Sequence, residues 1–196
     1  MRCFIAIELP DIVKSCLIQL QDEFKKCKAD IRWVNPGNVH LTLKFLGNIK
    51  EEMLQTISNG MKKVCCSSNP FNLEIKGIGM FPNAKSPRVL WLGVENNSFI
   101  MSLQTGIEKE MGKAGFKQEE RKFKAHLTIG RFRSSSGKED IFKAVSTHEK
   151  DSLGIINVNS MSLMKSELNP DGARHTRIAE IPLGKNGTDI KTDFES

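Results

Sequence analysis

The sequence lacks the features that mark membrane proteins, disulfide-rich secreted proteins and zinc proteins. No apolar run approaches the roughly 20 residues of a membrane-spanning helix. The apolar run at residues 3–7 is too short for a signal peptide and ends at Glu8. The five cysteines are an odd number without a Cys-x-x-Cys pair, which argues against a disulfide framework and against zinc-ligand spacing. We therefore expect a cytoplasmic protein with free thiols and no membrane association.

Short-period repeats and low-complexity segments are also absent, and the composition is that of an ordinary globular protein. Hydrophobic residues make up 39% and charged residues 27% of the chain. A length of 196 residues suits one domain, or two lobes that share a core. The 29 Lys and Arg residues exceed the 23 Asp and Glu residues, and the net charge of +6 weakly favours anionic partners such as RNA or nucleotides.

Hydrophobic periodicity predicts strands that alternate with helices. Helices are predicted over residues 10–27, 51–64, 98–113 and 138–145. Strands are predicted over residues 3–7, 31–34, 39–46, 71–80, 88–94, 123–132, 155–165 and 174–183. This order predicts an α+β fold with two similar lobes of mostly antiparallel sheet and outer helices, related by a pseudo-two-fold axis around a central groove. We expect residues 1–184 to form this single domain and residues 185–196 to form a frayed polar tail.

Histidine is scarce, yet two of the four histidines begin the same motif. Residues 40–43 have the sequence His-Leu-Thr-Leu and residues 126–129 have the sequence His-Leu-Thr-Ile, each within a predicted strand. Because side chains alternate along a strand, the His and Thr of each motif share one face while the apolar residues occupy the core face. If the two strands meet across a groove, two imidazoles and two hydroxyls surround one small polar site.

Two imidazoles on opposite sides of a phosphate suit in-line displacement at phosphorus. One neutral ring takes a proton from the attacking water, and the other, as imidazolium, protonates the leaving ribose oxygen. The hydroxyls of Thr42 and Thr128 can donate to the non-bridging oxygens. Arg131 is a candidate clamp for the phosphate. Strict alternation places Arg131 on the face opposite His126, so it reaches the site only through a bulge or at the strand end.

A metal site and a purely structural role are the competing interpretations of the two motifs. A two-histidine metal site normally takes a third ligand from Asp, Glu or Cys, and residues 38–48 and 125–133 contain none of these. A single strand histidine is usually structural, but the duplicated pattern favours function. His148 lies in a charged stretch and is expected to be solvated. His175, in a predicted strand, is either a substrate contact or a surface residue.

Five stretches of the chain resemble the two-histidine (2H) phosphoesterase superfamily, specifically its bacterial and archaeal RNA 2′,3′-cyclic phosphodiesterases, once called 2′-5′ RNA ligases. The similarity spans nearly the whole chain and is more specific than the His-x-Thr pair alone. It is carried by residues 2–7, 33–47, 77–82, 87–91 and 126–131.

The resemblance implies a role for each motif residue. His40 would be the proton donor to the leaving 3′ oxygen and His126 the proton acceptor that activates water, giving a 2′-phosphate end. Thr42, Thr128 and Arg131 would hold the phosphate. The resemblance also implies a bilobal fold with a basic groove, no cofactor and usually a monomer, and the two-histidine mechanism itself requires no metal. Its substrates would be RNAs with 2′,3′-cyclic phosphate ends, tRNA fragments among them, or cyclic nucleotides.

Two positions depart from the family pattern. Ala125 stands where the family commonly has Pro, and His175 stands where it often has Tyr, which would alter base or ribose contacts. Phe45 and Phe81 are either stacking surfaces for a base or core residues. Two rival functions remain at this point: a non-catalytic RNA- or nucleotide-binding module that uses the same groove, and 2′-5′ RNA ligation, the reverse reaction.

Overall fold

The computed structural model describes residues 1–95, 97–148, 151–169 and 172–184, together with the backbone of residues 191–192. These residues form four α-helices: α1 (Asp11–Lys25), α2 (Leu54–Cys66), α3 (Ser98–Lys113) and α4 (Lys138–Thr147). They also form ten strands: β1 (Arg2–Glu8), β2 (Ile31–Trp33), β3 (His40–Asn48), β4 (Phe71–Phe81), β5 (Val89–Val94), β6 (His126–Phe132), β7 (Ser152–Val158), β8 (Ser160–Asn169), β9 (Gly172–Pro182) and β10 (Lys191–Thr192). Two 3₁₀ turns, Pro36–Asn38 and Glu51–Met53, precede β3 and α2.

All strands belong to one antiparallel sheet, which confirms the predicted α+β class. The strand order is β10-β9-β8-β1-β3-β6-β5-β4-β7, with β2 paired to β6, and the sheet curls into a half-barrel. The halves β9-β8-β1-β3 and β6-β5-β4-β7 meet at the β3–β6 junction. There the register is a single pair, Leu41 with Leu127. The two motif strands are therefore the innermost strands of their halves.

The predicted strand over residues 155–165 is wrong as one element. The chain instead forms β7, which pairs with β4, and β8, which pairs with β1, on opposite halves of the sheet. The backbone changes strands at Asn159. Apolar residues recur on both sides of this position, so the pattern of the sequence does not reveal the change. The predicted tail, residues 185–196, lies outside the described residues except for residues 191–192, which pair with β9.

The main hydrophobic core lies between the helices and one face of the sheet. Helix α1 shows why: its buried positions recur at helical spacing and form one face, which consists of the apolar residues Val13, Leu17, Leu20 and Phe24 together with Gln21. Asp11 in its first turn and Lys25 in its last turn interact favourably with the helix dipole. None of the helices in the described ranges is both long and apolar enough to cross a membrane.

A second, small cluster of buried residues is separate from the main core. Phe4, Ala6 and Met164 form it. Phe4 pairs with Met164 across β1 and β8, so the cluster lies on the sheet face away from the helices. This face carries the histidine and threonine of both motifs.

Both motif strands contain a β-bulge at the same place, three residues after the histidine. Ala6 pairs with Thr42 and Ile5 with Lys44, so Leu43 is the extra residue in β3. A bulge puts two residues opposite one and shifts the alternation of the side chains that follow. Leu43 and Lys44 consequently both point into the core, at 3% and 2% exposure.

In β6 the extra residue is Ile129. Trp91 pairs with Thr128 and Leu90 with Gly130, and Ile129 and Gly130 are both buried. Gly130 is required there because a Cβ at this position would lie only 2.7 Å from Cγ2 of Ile31. The glycine therefore allows β2 to pair with β6.

The bulge in β6 is held by a buried glutamine. Gln21 of α1 is 2% exposed, and its Nε2 donates to the carbonyl oxygens of Val34 (2.8 Å) and Ile129 (3.0 Å). The Val34 N–H donates to the same Ile129 oxygen at 3.0 Å. The carbonyl of the extra residue is thus satisfied inside the protein, as a buried polar group requires.

The bulge in β3 buries a charge that a strictly alternating strand would leave in solvent. The Lys44 ammonium donates to Glu108 Oε2 (2.7 Å) and to the Lys117 carbonyl (2.9 Å). Glu108 belongs to α3, so this ion pair joins the motif strand to a helix and to the segment that precedes β6.

We predict that replacing Glu108 by Leu lowers the free energy of unfolding by about 3 kcal/mol, because Lys44 is left charged and buried without its carboxylate. Adding Lys44→Met to that variant should recover most of the loss, since it replaces the orphaned charge with an apolar side chain. Chemical denaturation of the single and double variants measures both values.

Asp11→Asn is the control, because the Asp11–Lys14 pair is exposed and should change stability by less than about 1 kcal/mol. A loss in Glu108→Leu as small as in this control would contradict the assignment.

Candidate active site

The structure brings both motifs together at the junction of the two halves. His40 and His126 are the first residues of β3 and β6, and both are half-buried. Because Leu41 pairs with Leu127 in antiparallel sense, His40 lies beside Thr128 and Thr42 beside His126. The four polar side chains therefore share one face of the sheet, opposite the leucines.

Each imidazole is anchored in the same way, through its Nδ1 nitrogen. Nδ1 of His40 lies 2.8 Å from the Asn38 carbonyl oxygen, and Nδ1 of His126 lies 2.7 Å from the Lys124 carbonyl oxygen. A carbonyl only accepts, so Nδ1 carries the proton in both rings. Nε2 is then the nitrogen left for chemistry, as an acceptor in the neutral ring and as a donor in the imidazolium.

Aromatic rings back both imidazoles. Phe4 stacks on His40 with ring centroids 4.5 Å apart and an interplanar angle of 24°. Phe81 lies edge-on to His126 at 5.0 Å and is itself stacked on Trp91 at 4.9 Å. The anchors and the ring contacts together fix the position and the orientation of each imidazole.

The two threonine hydroxyls are available to a ligand. Thr42 and Thr128 are half-buried, and neither hydroxyl has a hydrogen-bond partner among the residues that the structure describes. Their positions beside the opposite histidine let them donate to an anion held between the two imidazoles.

The bulge at Ile129 places Arg131 on the histidine face. Trp91 pairs with Thr128 and Val89 with Arg131. Since Trp91 and Val89 are two residues apart on β5, their partners share one face. The sequence required a bulge or a strand end for Arg131 to reach the site, and the structure contains such a bulge.

Phe45 occupies the position in β3 that Arg131 occupies in β6. It pairs with Phe4, is 60% exposed, and lies on the face that carries Thr42. Of the two alternatives that the sequence left for Phe45, a stacking surface or a core residue, the structure therefore places it at the surface of the site.

A cavity of about 290 Å³ opens beside His40, between β1, β9 and the start of α1. His175 lines it, with its ring 5.1 Å from that of His40 and 5.0 Å from that of Phe4. Nδ1 of His175 is buried without a hydrogen-bond partner in the described structure. His175 thus lies at the site, as a third imidazole next to His40.

Comparison with known proteins identifies the family of this chain. Residues 7–91 and 94–175 match the LigT-like phosphoesterase family. The chain belongs to the LigT-like phosphoesterases.

Individual relatives cover most of the chain. A protein of Methanothermobacter thermautotrophicus named RNA 2′,3′-cyclic phosphodiesterase is 34% identical over 89% of this chain and 95% of its own length. The crystal structure of TT0787 of Thermus thermophilus is similar with a TM-score of 0.76 and 28% identity, over 94% of this chain and 100% of that one. Escherichia coli LigT complexed with 3′-AMP has the same fold, with a TM-score of 0.75 and 24% identity over 93% of this chain and 97% of that one.

In this LigT-like phosphoesterase, burial decides the protonation of His40. The pKa of His40 is lowered to about 4, chiefly by desolvation and to a smaller extent by the nearby His175. The hydrogen bond to Asn38 and the Glu8 carboxylate act in the opposite direction. Burial also lowers the pKa of His175. His40 is therefore neutral at pH 7 in the unliganded protein, whereas a proton donor must be charged, so the donor role requires an anion at the site.

Glu8 is the acidic group nearest this cluster, and it is held by Arg177. Nε and Nη2 of Arg177 donate to its two oxygens at 2.7 and 3.0 Å, and the Ser162 hydroxyl also donates to it. Burial acts to raise the pKa of Glu8, but these hydrogen bonds outweigh it and lower the pKa below its usual value. The Glu8 carboxylate therefore stays charged and partly offsets the effect of burial on the pKa of His40.

His148 is half-buried and paired with two carboxylates, whereas its charged sequence neighbourhood predicted a freely solvated side chain. Its ring nitrogens lie 3.0 Å from Glu23 and 2.8 Å from Asp151, and its ring packs against Phe24 at 5.7 Å. The two carboxylates raise the pKa of His148. It joins α1 to the segment before β7 and takes no part in the site.

Sequence reasoning missed the aromatic and polar supports of the site, among them Phe4, Trp91 and Gln21. Phe4 and Trp91 fall within the stretches that carry the family resemblance, but strand alternation alone gives them no role. No group of three or more His, Cys, Asp or Glu side chains in the described ranges is arranged to hold a metal ion.

We predict that His40 titrates near pH 4 in the unliganded protein and well above that value when inorganic phosphate occupies the site, because the anion stabilises the imidazolium. Histidine ring signals followed by NMR from acid to mildly alkaline pH measure both midpoints. His40→Gln identifies the signal by its loss. A midpoint at or above the ordinary histidine value of about 6.5 without ligand would contradict the effect of burial described above.

Proposed function

We propose that this chain hydrolyses 2′,3′-cyclic phosphate ends of RNA to 2′-phosphate ends, with His40 as proton donor and His126 as proton acceptor. The observation that carries the proposal is the pair of Nδ1-anchored imidazoles on one face, each beside a threonine hydroxyl without a partner in the described structure. The archaeal relative named RNA 2′,3′-cyclic phosphodiesterase supports this substrate.

The reaction follows from the free Nε2 atoms. Nε2 of His126 takes a proton from water while the water oxygen attacks phosphorus. The bond from phosphorus to the 3′ oxygen breaks in line, and Nε2 of His40 gives its proton to that oxygen. The ribose keeps the phosphate on its 2′ oxygen. Proton exchange with solvent then restores the starting protonation of both rings.

Thr42, Thr128 and Arg131 would hold the non-bridging oxygens, where negative charge increases in the transition state. The hydroxyls reach the phosphate from the two sides of the β3–β6 junction, and the guanidinium adds the positive charge. The substrate anion itself supplies the charge that raises the His40 pKa and makes this ring a donor.

Phe45 and His175 are the proposed contacts to the base or the ribose. Phe45 offers an exposed ring on the site face, and a base can stack on such a ring whatever its sequence. Nδ1 of His175, unpartnered in the described structure, can take a hydrogen bond from, or give one to, a sugar hydroxyl. We propose that the protein acts in the cytoplasm as a monomer, without metal or cofactor, on RNA ends such as those of tRNA fragments, or on cyclic nucleotides.

The test is product analysis on a short RNA with a 2′,3′-cyclic phosphate end, in the presence of EDTA. We expect a 2′-phosphate product and a rate that falls about 10²- to 10⁴-fold in His40→Ala and in His126→Ala, because each removes one proton-transfer group. His148→Ala is the matched control, since His148 lies away from the site, and it should keep its activity.

Three outcomes would contradict the proposal. A 3′-phosphate product would overturn the assignment of the leaving oxygen, and full activity in either active-site variant would overturn the mechanism. Tight binding without turnover would identify a non-catalytic RNA-binding module. Offering two RNA halves with suitable ends in the same assay measures ligation, the reverse reaction.

A further inference from the structure

Two arginines face each other across the β2–β6 pair at the edge of the site. Arg32 of β2 is directly opposite Arg131 of β6 in the antiparallel register, between the pairs Trp33–Gly130 and Ile31–Phe132. Like charges directly opposite each other on neighbouring strands are destabilising. Because the Arg32–Arg131 pair does not stabilise the fold, its presence suggests a role in binding.

Both guanidiniums lie on the face of the site. Ile31 is buried in the main core at 8% exposure, so alternation sends Arg32 to the opposite face. The bulge at Ile129 sends Arg131 to the same face, together with Thr128. Arg32 and Arg131 are both exposed.

No group in the described part of the chain neutralises this pair. Among those residues, neither Arg32 nor Arg131 has a salt bridge or a side-chain hydrogen bond to a partner. The Arg32 side chain extends toward the start of β9, where a Cβ at Gly172 would lie 3.4 Å from its Nη2. The two positive charges are therefore in a position to bind an anion from solvent.

The pair lies further along β6 than the position of the cyclic phosphate, where a longer RNA can place its next phosphate. The scissile phosphate is placed between His40 and His126, beside Thr128. Arg131 follows Thr128 by three residues along β6. Arg32 lies beside Arg131 on β2, about 4.8 Å away, on the same edge of β6 that pairs with β3. A cyclic mononucleotide has no second phosphate to bring there, but an oligonucleotide does.

We propose that Arg32 binds the internucleotide phosphate that precedes the terminal nucleotide, next to Arg131 on the cyclic phosphate, so that this enzyme favours oligonucleotide ends over cyclic mononucleotides. The proposal rests on the proposed function and specifies its substrate class. Arg32 is a specificity residue in this arrangement and does not take part in proton transfer.

The experiment compares two substrates: adenosine 2′,3′-cyclic phosphate and a four-nucleotide RNA with a 2′,3′-cyclic phosphate end. In Arg32→Gln, we expect kcat/KM to fall about tenfold for the RNA, mainly through KM, because one charge-assisted contact to phosphate is lost. The value for the mononucleotide should stay within about twofold. The salt dependence for the RNA should weaken by close to one phosphate contact.

Two further measurements separate binding from folding. Lys109→Gln removes the same charge from an exposed position on the outer helix α3 and should change neither substrate. The melting temperature of Arg32→Gln should equal or exceed that of the unaltered protein, because a like-charge pair has been removed. A structural role for Arg32 would instead lower the melting temperature and affect both substrates.

Equal losses on the two substrates, or no loss on the RNA, would overturn the subsite. If the unaltered protein hydrolyses neither substrate, the proposed function fails and the subsite is then judged by binding alone. Fluorescence anisotropy of a labelled four-nucleotide RNA with a 3′-phosphate end provides that measurement. An affinity about tenfold weaker in Arg32→Gln would support the subsite, and an unchanged affinity would overturn it.

Discussion

The site depends on one backbone irregularity that occurs twice: the bulge three residues after each motif histidine. Each bulge leaves the His-Leu-Thr alternation intact and then reverses the faces of the residues that follow. In β3 this reversal buries Lys44 and exposes Phe45, and in β6 it buries Gly130 and brings Arg131 to the site. A regular strand would instead put Lys44 on the face of His40 and Thr42 and would turn Arg131 away from His126.

The two halves use the same backbone device for different purposes. The position after the bulged residue is Lys44 in one half, where an ion pair with Glu108 compensates its burial. In the other half it is Gly130, whose missing side chain lets Ile31 and β2 approach. The pseudo-symmetry is therefore one of backbone and histidine placement. The charge is asymmetric, because the β6 side carries a guanidinium where the β3 side carries a phenyl ring.

Much of this could be predicted from the sequence, because period-two alternation and a repeated tetrapeptide are local signals. They located both motif strands and the common face of histidine and threonine. The bulges could not be predicted, since an extra residue is defined only by its partner strand. Strict alternation therefore left the position of Arg131 conditional and gave no sign that Lys44 is buried. His148 was misjudged for a similar reason: its carboxylate partner Glu23 is 125 residues away in the sequence.

The stacking of Phe4 on His40 helps to set the condition under which His40 can act as a proton donor. Shielding from water disfavours the charged imidazolium and lowers its pKa, so His40 is neutral in the unliganded site. A phosphodiester carries its own negative charge into this dry position, where charge interactions are stronger than in water. The substrate would then create the acid that cleaves it. In such a site the donor is charged mainly when a substrate is present, and neutral groups bound in the same place leave it uncharged.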